Sequence, residues 1–265
     1  MKYAFIAGAE SGLAKEAIRI LEAEGYYIFA ADIAYSELVE NDMHSFIPID
    51  VTSNDSIIAV SEYVKTKTDE LSVVASFAGI VTLGSLVELP IDALDRIMSI
   101  NCTSQYKINN QLFPLLMKGK GRIITISSEY GVLDALPIHG FYGISKHALE
   151  MYSDSLRRET QKSGVKVVCI RPGAFKTSMQ QGIESSFDKL LAETVMYKKI
   201  LTKMRFLMKG ELDKAKPVEV FGKTFKKALL SKRPKRYYRV HNSLLMKILS
   251  VLPPFMQDWV FRFFL

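Results

Sequence analysis

Short apolar runs separated by amphipathic stretches repeat from the first residues to about position 175, and this alternation narrows the fold most. Tyr3–Ala7, Tyr26–Ala31, Ser45–Ile49, Val73–Phe77, Arg122–Ile126 and Val165–Ile170 read as strands. None alternates strictly between apolar and polar residues, as expected where both faces of a parallel sheet are covered. Leu13–Glu24, Asp55–Lys67, Ile91–Lys118 and Tyr142–Ser163 carry helical periodicity between them. Strands alternating with helices of this length imply right-handed βαβ units, hence an α/β fold with a doubly wound parallel sheet in a three-layer sandwich.

No internal repeat, low-complexity stretch or linker divides the chain, so residues 1–265 read as one domain. Residues 178–216 are polar and basic with scattered Leu, Met and Phe, and read as a helical lid over a pocket. Lys232-Arg233-Pro234-Lys235-Arg236 forms a basic loop, and residues 244–265 form an apolar C-terminal extension holding Trp259. With 48% hydrophobic and 24% charged residues the chain is too apolar for disorder. Two cysteines and four histidines without ligand spacing give neither a disulfide framework nor a metal site. Met1-Lys2-Tyr3 runs straight into the first strand without a signal-peptide pattern, and no run of 18 apolar residues spans a membrane. A cytoplasmic protein is expected. The net charge of +7 is concentrated between Lys189 and Arg239 and reads as a solvated basic face. No base-stacking or helix-turn-helix pattern accompanies it, so a nucleic-acid partner is not expected.

Gly8-Ala9-Glu10-Ser11-Gly12-Leu13-Ala14 follows the first strand and opens the first helix. A glycine-rich turn there lets backbone amides approach a pyrophosphate at the positive end of a helix, the Rossmann-type arrangement. Gly8, Ser11, Gly12 and Leu13 are the candidate contacts. Asp32 ends the second strand, where a carboxylate accepts the ribose hydroxyls of an adenosine and repels a 2′-phosphate. Neither Ser11 nor Ile33 supplies a compensating cation, so NAD is expected in preference to NADP. Asp32 also suits a turn or helix cap.

Ser127-Ser128 ends the fifth strand, and Tyr142-Gly143-Ile144-Ser145-Lys146 opens the next long helix. Tyr142 and Lys146, four apart, share one face. A free tyrosine titrates near pH 10, and lowering its pKa by about 3 units takes roughly 4 kcal/mol. An ammonium about 4 Å away supplies on the order of 4 kcal/mol at an effective dielectric of about 20. A tyrosine tuned in this way exchanges a proton with a substrate oxygen while a nicotinamide exchanges hydride with the adjoining carbon.

These residues give the chain a resemblance to the short-chain dehydrogenase/reductase family, in particular its steroid and retinol dehydrogenase-like members, from the first strand to about Thr177. Gly8 and Gly12, Asp50-Val51, Ala78-Gly79, Asn101, Ser128, Tyr142, Lys146 and Pro172-Gly173 through Thr177 occur in family order. The resemblance implies Tyr142 as general acid/base and Lys146 as ligand of the nicotinamide ribose. It implies that Ser128, rather than Ser127, bonds the substrate oxygen and that Asn101 holds a relay water. Asp50 and Val51 would contact the adenine, Ala78 and Gly79 would line the cofactor, and Pro172, Gly173 and Thr177 would hold the carboxamide. Ala7 stands where the family has threonine, Ala14 replaces a third glycine, and Ser76-Phe77 replaces an asparagine pair.

A lipophilic secondary alcohol or ketone is the expected substrate, because members acting on steroids and retinoids carry apolar C-terminal regions like Leu244–Leu265. That tail is expected to pack over the pocket or on another subunit, with peripheral membrane contact as the alternative. A homodimer or homotetramer is expected by analogy. The competing readings are an idle dinucleotide-binding redox sensor and an NADP-dependent carbonyl reductase.

Overall fold

The computed structural model describes residues 1–264; Leu265, the last residue of the apolar tail, lies outside the described residues. The chain runs β1 (Lys2–Ala7), α1 (Gly12–Ala23), β2 (Tyr26–Asp32), β3 (Val39–Glu40), β4 (His44–Pro48), α2 (Asn54–Lys67) and β5 (Val73–Ser76). It continues through α3 (Ala93–Met98), α4 (Ser104–Lys118), β6 (Arg122–Ile126), α5 (Gly140–Glu159) and β7 (Lys166–Pro172). The last third holds α6 (Ser178–Glu193), α7 (Lys198–Leu212), α8 (Val218–Leu230), β8 (Tyr237–Val240), α9 (Leu244–Leu249) and α10 (Pro254–Phe264). The strands form one sheet in the order β3-β4-β2-β1-β5-β6-β7-β8, parallel except for the short edge strand β3.

Each predicted strand is present with ends shifted by a residue or two. The order places a topological switch between β1 and β5, because the chain builds outward to β4 and then returns to pair β5 with β1. A crevice at the carboxyl ends of strands flanking such a switch is where α/β sheets bind ligands. The period-2 alternation of a strand sends Ala4 and Ile6 to one face of β1 and Phe5 and Ala7 to the other. The first face packs on α1 and α8 through Ala17, Leu21, Phe221 and Phe225. The second packs on α2 and α4 through Ile57, Val64, Ile108 and Leu112. A third, separate cluster joins the lid helices α6 and α7 to the loops that follow β5 and β6, through Phe187, Leu201, Met204 and Met208 with Leu83 and Ile138.

The stretch expected as one helix over Ile91–Lys118 is broken. A π-helical turn over Ser99–Thr103 separates α3 from α4 and buries Asn101 completely. Helix α5 begins two residues before Tyr142 and ends at Glu159. It is fastened to β7 by a buried pair: Arg171 donates to both carboxylate oxygens of Glu150, at 2.9 and 2.8 Å. The Arg171 guanidinium also stacks on Tyr237, 3.8 Å from its ring centre. Removing one member of such a pair leaves an uncompensated buried charge. Arg171→Leu is therefore expected to cost about 3–5 kcal/mol in urea unfolding, and adding Glu150→Gln to recover part of it.

Candidate active site

At the switch point, Gly8 adopts φ +72° and its amide donates to Ala31 at 2.9 Å. A side chain there would collide with the Ala78 amide nitrogen, so the turns after β1 and β5 approach only because residue 8 is glycine. Ser11 caps α1 by accepting from Ala14 N at 3.3 Å, and the first turn of α1 holds no acidic residue. The positive helix terminus is left open toward the crevice. Leu13 packs on the core below. A Cβ on Gly12 would lie 2.8 Å from the Thr177 methyl carbon, so the segment leading to α6 folds back over the glycine turn. Pro172 ends β7, and the Gly173 amide donates to Val240 at 3.0 Å.

Asp32 is buried and accepts from the backbone amides of Glu10 and Ala34, each at 2.9 Å. It is therefore a turn residue as well as a carboxylate beside the glycine turn. Glu10 accepts from the Tyr35 hydroxyl at 2.8 Å and pairs with Lys15 at 2.7 Å, and these bonds hold its pKa below the usual carboxylate range. Asp50 follows β4, whose end is tied to Asp32 by the Ile49 amide at 3.1 Å. Its Oδ1 accepts from Thr52 N and Oγ1, which lowers its pKa, and Val51 packs on the adjoining core. An open helix terminus flanked by hydroxyls, with carboxylates some way along, fits the pyrophosphate and adenosine of a dinucleotide.

At the other end of the crevice, Tyr142 is the third residue of α5 and Lys146 follows one turn later. The Ser128 hydroxyl lies beside the Tyr142 phenol, whose pKa it lowers, and accepts from Tyr130 N at 3.3 Å. Ser127 Oγ is buried without a hydrogen-bond partner among the described residues and points toward Gly131, which leaves Ser128 as the serine beside the tyrosine. Lys146 Nζ lies 5.9 Å from the Tyr142 ring centre and donates to the Ile126 carbonyl at 3.2 Å. Gly79 packs its backbone against Lys146 Nζ and Asn101 Oδ1, where a Cβ would lie 3.7 and 3.4 Å away.

Burial sets the surroundings of two site residues here. Asn101 accepts from Ile80 N at 2.8 Å and donates to Ile80 O and Ser145 Oγ at 2.9 and 3.0 Å. Both amide hydrogens are committed, so a relay water would be held by the main chain of the π turn and not by this side chain. Burial also pushes the Tyr142 phenol above its ordinary pKa; the Ser128 hydroxyl opposes that shift and Glu129 adds to it. The ammonium lies over the ring while bonding the Ile126 carbonyl, and burial pushes its own pKa down to about 8.

Three further residues border the site. Tyr130 lies 5.6 Å from Tyr142 with rings at 65°, and its hydroxyl donates to Met208 Sδ of the lid at 3.7 Å. His139 stacks on Tyr130, at 5.2 Å and 15°. Glu10 lies within the glycine turn. The position of Glu10 between Gly8 and Gly12, and of His139 one helical turn before Tyr142, were the available sequence signals. Nothing in the pattern marks Tyr130.

The sequence pattern of the short chain dehydrogenase family matches residues 2–187. The chain belongs to that family. Retinol dehydrogenase 7 of Mus musculus is 32% identical over 202 residues, covering 73% of this chain and 63% of that protein. The NADPH-dependent 3-dehydrocapnine reductase of Ornithobacterium rhinotracheale is 32% identical over 278 aligned residues, covering 98% and 96%. The chain thus spans less than two thirds of the retinol dehydrogenases it matches and nearly the full length of the bacterial reductase. The fold is shared with a short chain dehydrogenase from Burkholderia cenocepacia solved in complex with NADP, at a TM-score of 0.73 and 17% identity, covering 99% and 98% of the two chains.

Asn101 clamps Ile80 through two side-chain bonds. Asn101→Ala would orphan buried backbone groups at about 1–3 kcal/mol each. The expected outcome is a clear drop in the urea midpoint as well as in turnover; unchanged stability would mean that the clamp contributes nothing.

Proposed function

We propose that this protein is an NAD-dependent oxidoreductase that interconverts a lipophilic secondary alcohol and its ketone. The placement of Ser128, Tyr142 and Lys146 at the carboxyl end of the sheet, the end that also holds the glycine turn after β1, carries this reading. A bound nicotinamide dinucleotide supplies or accepts the hydride. Ser128 orients the substrate oxygen, and Tyr142 holds the proton that this oxygen gains or loses. With its pKa raised, Tyr142 is in the acid form at neutral pH, the form that protonates a ketone oxygen. The Lys146 ammonium favours the ionised phenol that remains after the proton has left. The idle-sensor reading is weaker because all three groups are present and converge.

A cation whose pKa falls from 10.5 to about 8 carries its charge below that pH and loses it above. Ketone reduction is therefore expected to decline as pH rises through about 8. Lys146→Arg, whose guanidinium stays charged, should flatten that decline at a lower rate. Tyr142→Phe should lower kcat by a factor of about 10² or more. Retained turnover in that variant would remove Tyr142 from the chemistry.

The preference for NAD is supported by Asp32 and Glu10, two carboxylates on the adenosine side, with Lys15 already paired to Glu10. A unit charge about 5 Å from one of them is opposed by roughly 3 kcal/mol at an effective dielectric of about 20. NADH is expected to bind at least about tenfold more tightly than NADPH in fluorescence titration, with Glu10→Gln narrowing the gap. The opposite order would assign this chain the NADPH dependence named for its full-length relative and leave the reaction class intact.

A lipophilic substrate is supported by the apolar lid cluster beside Tyr130, by the basic residues of the lid for an anionic group, and by relatives named for retinol. The tail supports a peripheral lipid contact over a cap on the pocket: Leu244, Phe255, Trp259 and Phe263 are 65–76% exposed, with Lys247 and Arg262 among them. Among the described residues no helix is long and apolar enough to cross a membrane. Full-length protein is expected to co-sediment with anionic phospholipid vesicles and protein truncated after Asn242 to stay in solution; equal behaviour favours a subunit contact, in keeping with a family homodimer or homotetramer. Free thiols at Cys102 and Cys169 support a reducing, cytoplasmic setting.

A further inference from the structure

His139 immediately precedes α5 and is 3% exposed. Its Nδ1 lies 3.2 Å from the Pro137 carbonyl oxygen. That oxygen only accepts, so Nδ1 carries the proton and Nε2 presents a bare lone pair. Nε2 is out of solvent and has no hydrogen-bond partner among the described residues. Burial keeps the ring neutral by pushing its pKa down to about 4. An unpaired buried acceptor carries a desolvation penalty that a phenylalanine, stacking equally well on Tyr130, would avoid.

The place of this nitrogen gives the penalty a use. His139 and Tyr142 both pack against Tyr130, so the bare acceptor belongs to a ring one neighbour removed from the phenol that addresses the substrate oxygen. The lid closes over the same wall, with Met208 on the Tyr130 hydroxyl and Ile138 in the lid cluster. We propose that His139 Nε2 is a specificity-determining acceptor, which takes a hydrogen bond from a hydroxyl or amine on the substrate a few bonds from the reacting carbon. This rests on reading the site as an alcohol/ketone oxidoreductase. A site built to accept such a bond rejects the analogue lacking the donor, because the analogue leaves the nitrogen unpaired again.

The test uses three long-chain ketones: one with a hydroxyl on the carbon beside the carbonyl, one with an amine there, and the unsubstituted parent. With the full-length chain and reduced nicotinamide cofactor, one donor-bearing ketone is expected to exceed the parent at least about tenfold in kcat/KM. Which donor wins identifies the substrate group. His139→Phe keeps the stack and should erase that preference while changing the parent by less than about threefold; His139→Gln, which keeps an acceptor, should restore part of it. Equal losses on all ketones in His139→Phe, or no preference in the unaltered protein, would overturn the proposal.

A second readout does not need turnover. The ¹⁵N resonance of Nε2, assigned by its loss in His139→Phe, should move when the favoured donor-bearing ketone is added and stay in place with the parent. Movement without reduction of any ketone would retain the acceptor and reject the reaction. A resonance unmoved by both donor-bearing ketones rejects the acceptor, whatever the turnover.

Discussion

Lys146 carries an ammonium on a side chain that is 6% exposed, and much of the surrounding structure compensates for that burial. An unpaired cation out of water is strongly destabilising. Here Nζ donates to the carbonyl at the end of β6, and Glu150, one turn along α5, adds negative potential. Glu150 is held in turn by Arg171 of β7, and Ser153, nearly one turn further, donates to Thr125 of β6 at 3.1 Å. One face of α5 is thereby bonded to two neighbouring strands along most of its length. Tyr142 inherits its position from this attachment, because it sits one turn before the lysine on a helix that has little freedom to shift.

The parallel sheet was legible because strands covered on both faces must be apolar throughout, and the helices between them show the 3.6-residue period. Strand and helix ends were legible only to within a residue or two, since they depend on which backbone hydrogen bonds close. The interruption at Ser99–Thr103 was not legible. Apolar periodicity continues across it, and the turn carries Asn101, whose side chain bonds Ile80 of a loop distant in sequence. The edge strand β3, two exposed residues long, leaves no pattern. At the site, the i, i+4 spacing of Tyr142 and Lys146 was sufficient to bring them together. The direction of the Tyr142 shift was not, because spacing reports a neighbouring charge but not the dryness that outweighs it.

The closed lid has a consequence for dynamics. Tyr142 is only 8% exposed, with Tyr130 against it and Met208 against Tyr130. Met208 of α7 thus screens the side of Tyr130 that packs near the phenol, and this contact couples the position of α7 to the surroundings of Tyr142. The lid's apolar cluster is separate from the two that flank the sheet. Its opening therefore exposes its own surface without disturbing the strands that carry Ser128 and the glycine turn.

The turn over residues 128–134 is where these parts meet. Ser128 faces Tyr142, Tyr130 supports the lid, Glu129 accepts from the Ser243 amide at the start of α9, and Asp134 accepts from Gln257 of α10. Burial pushes the Glu129 pKa up, and the Ser243 amide opposes that shift. One short turn is thus held by the catalytic helix, the lid and the tail together. A surface that engages the exposed apolar side chains of α9 and α10 acts on the same turn that places the catalytic serine.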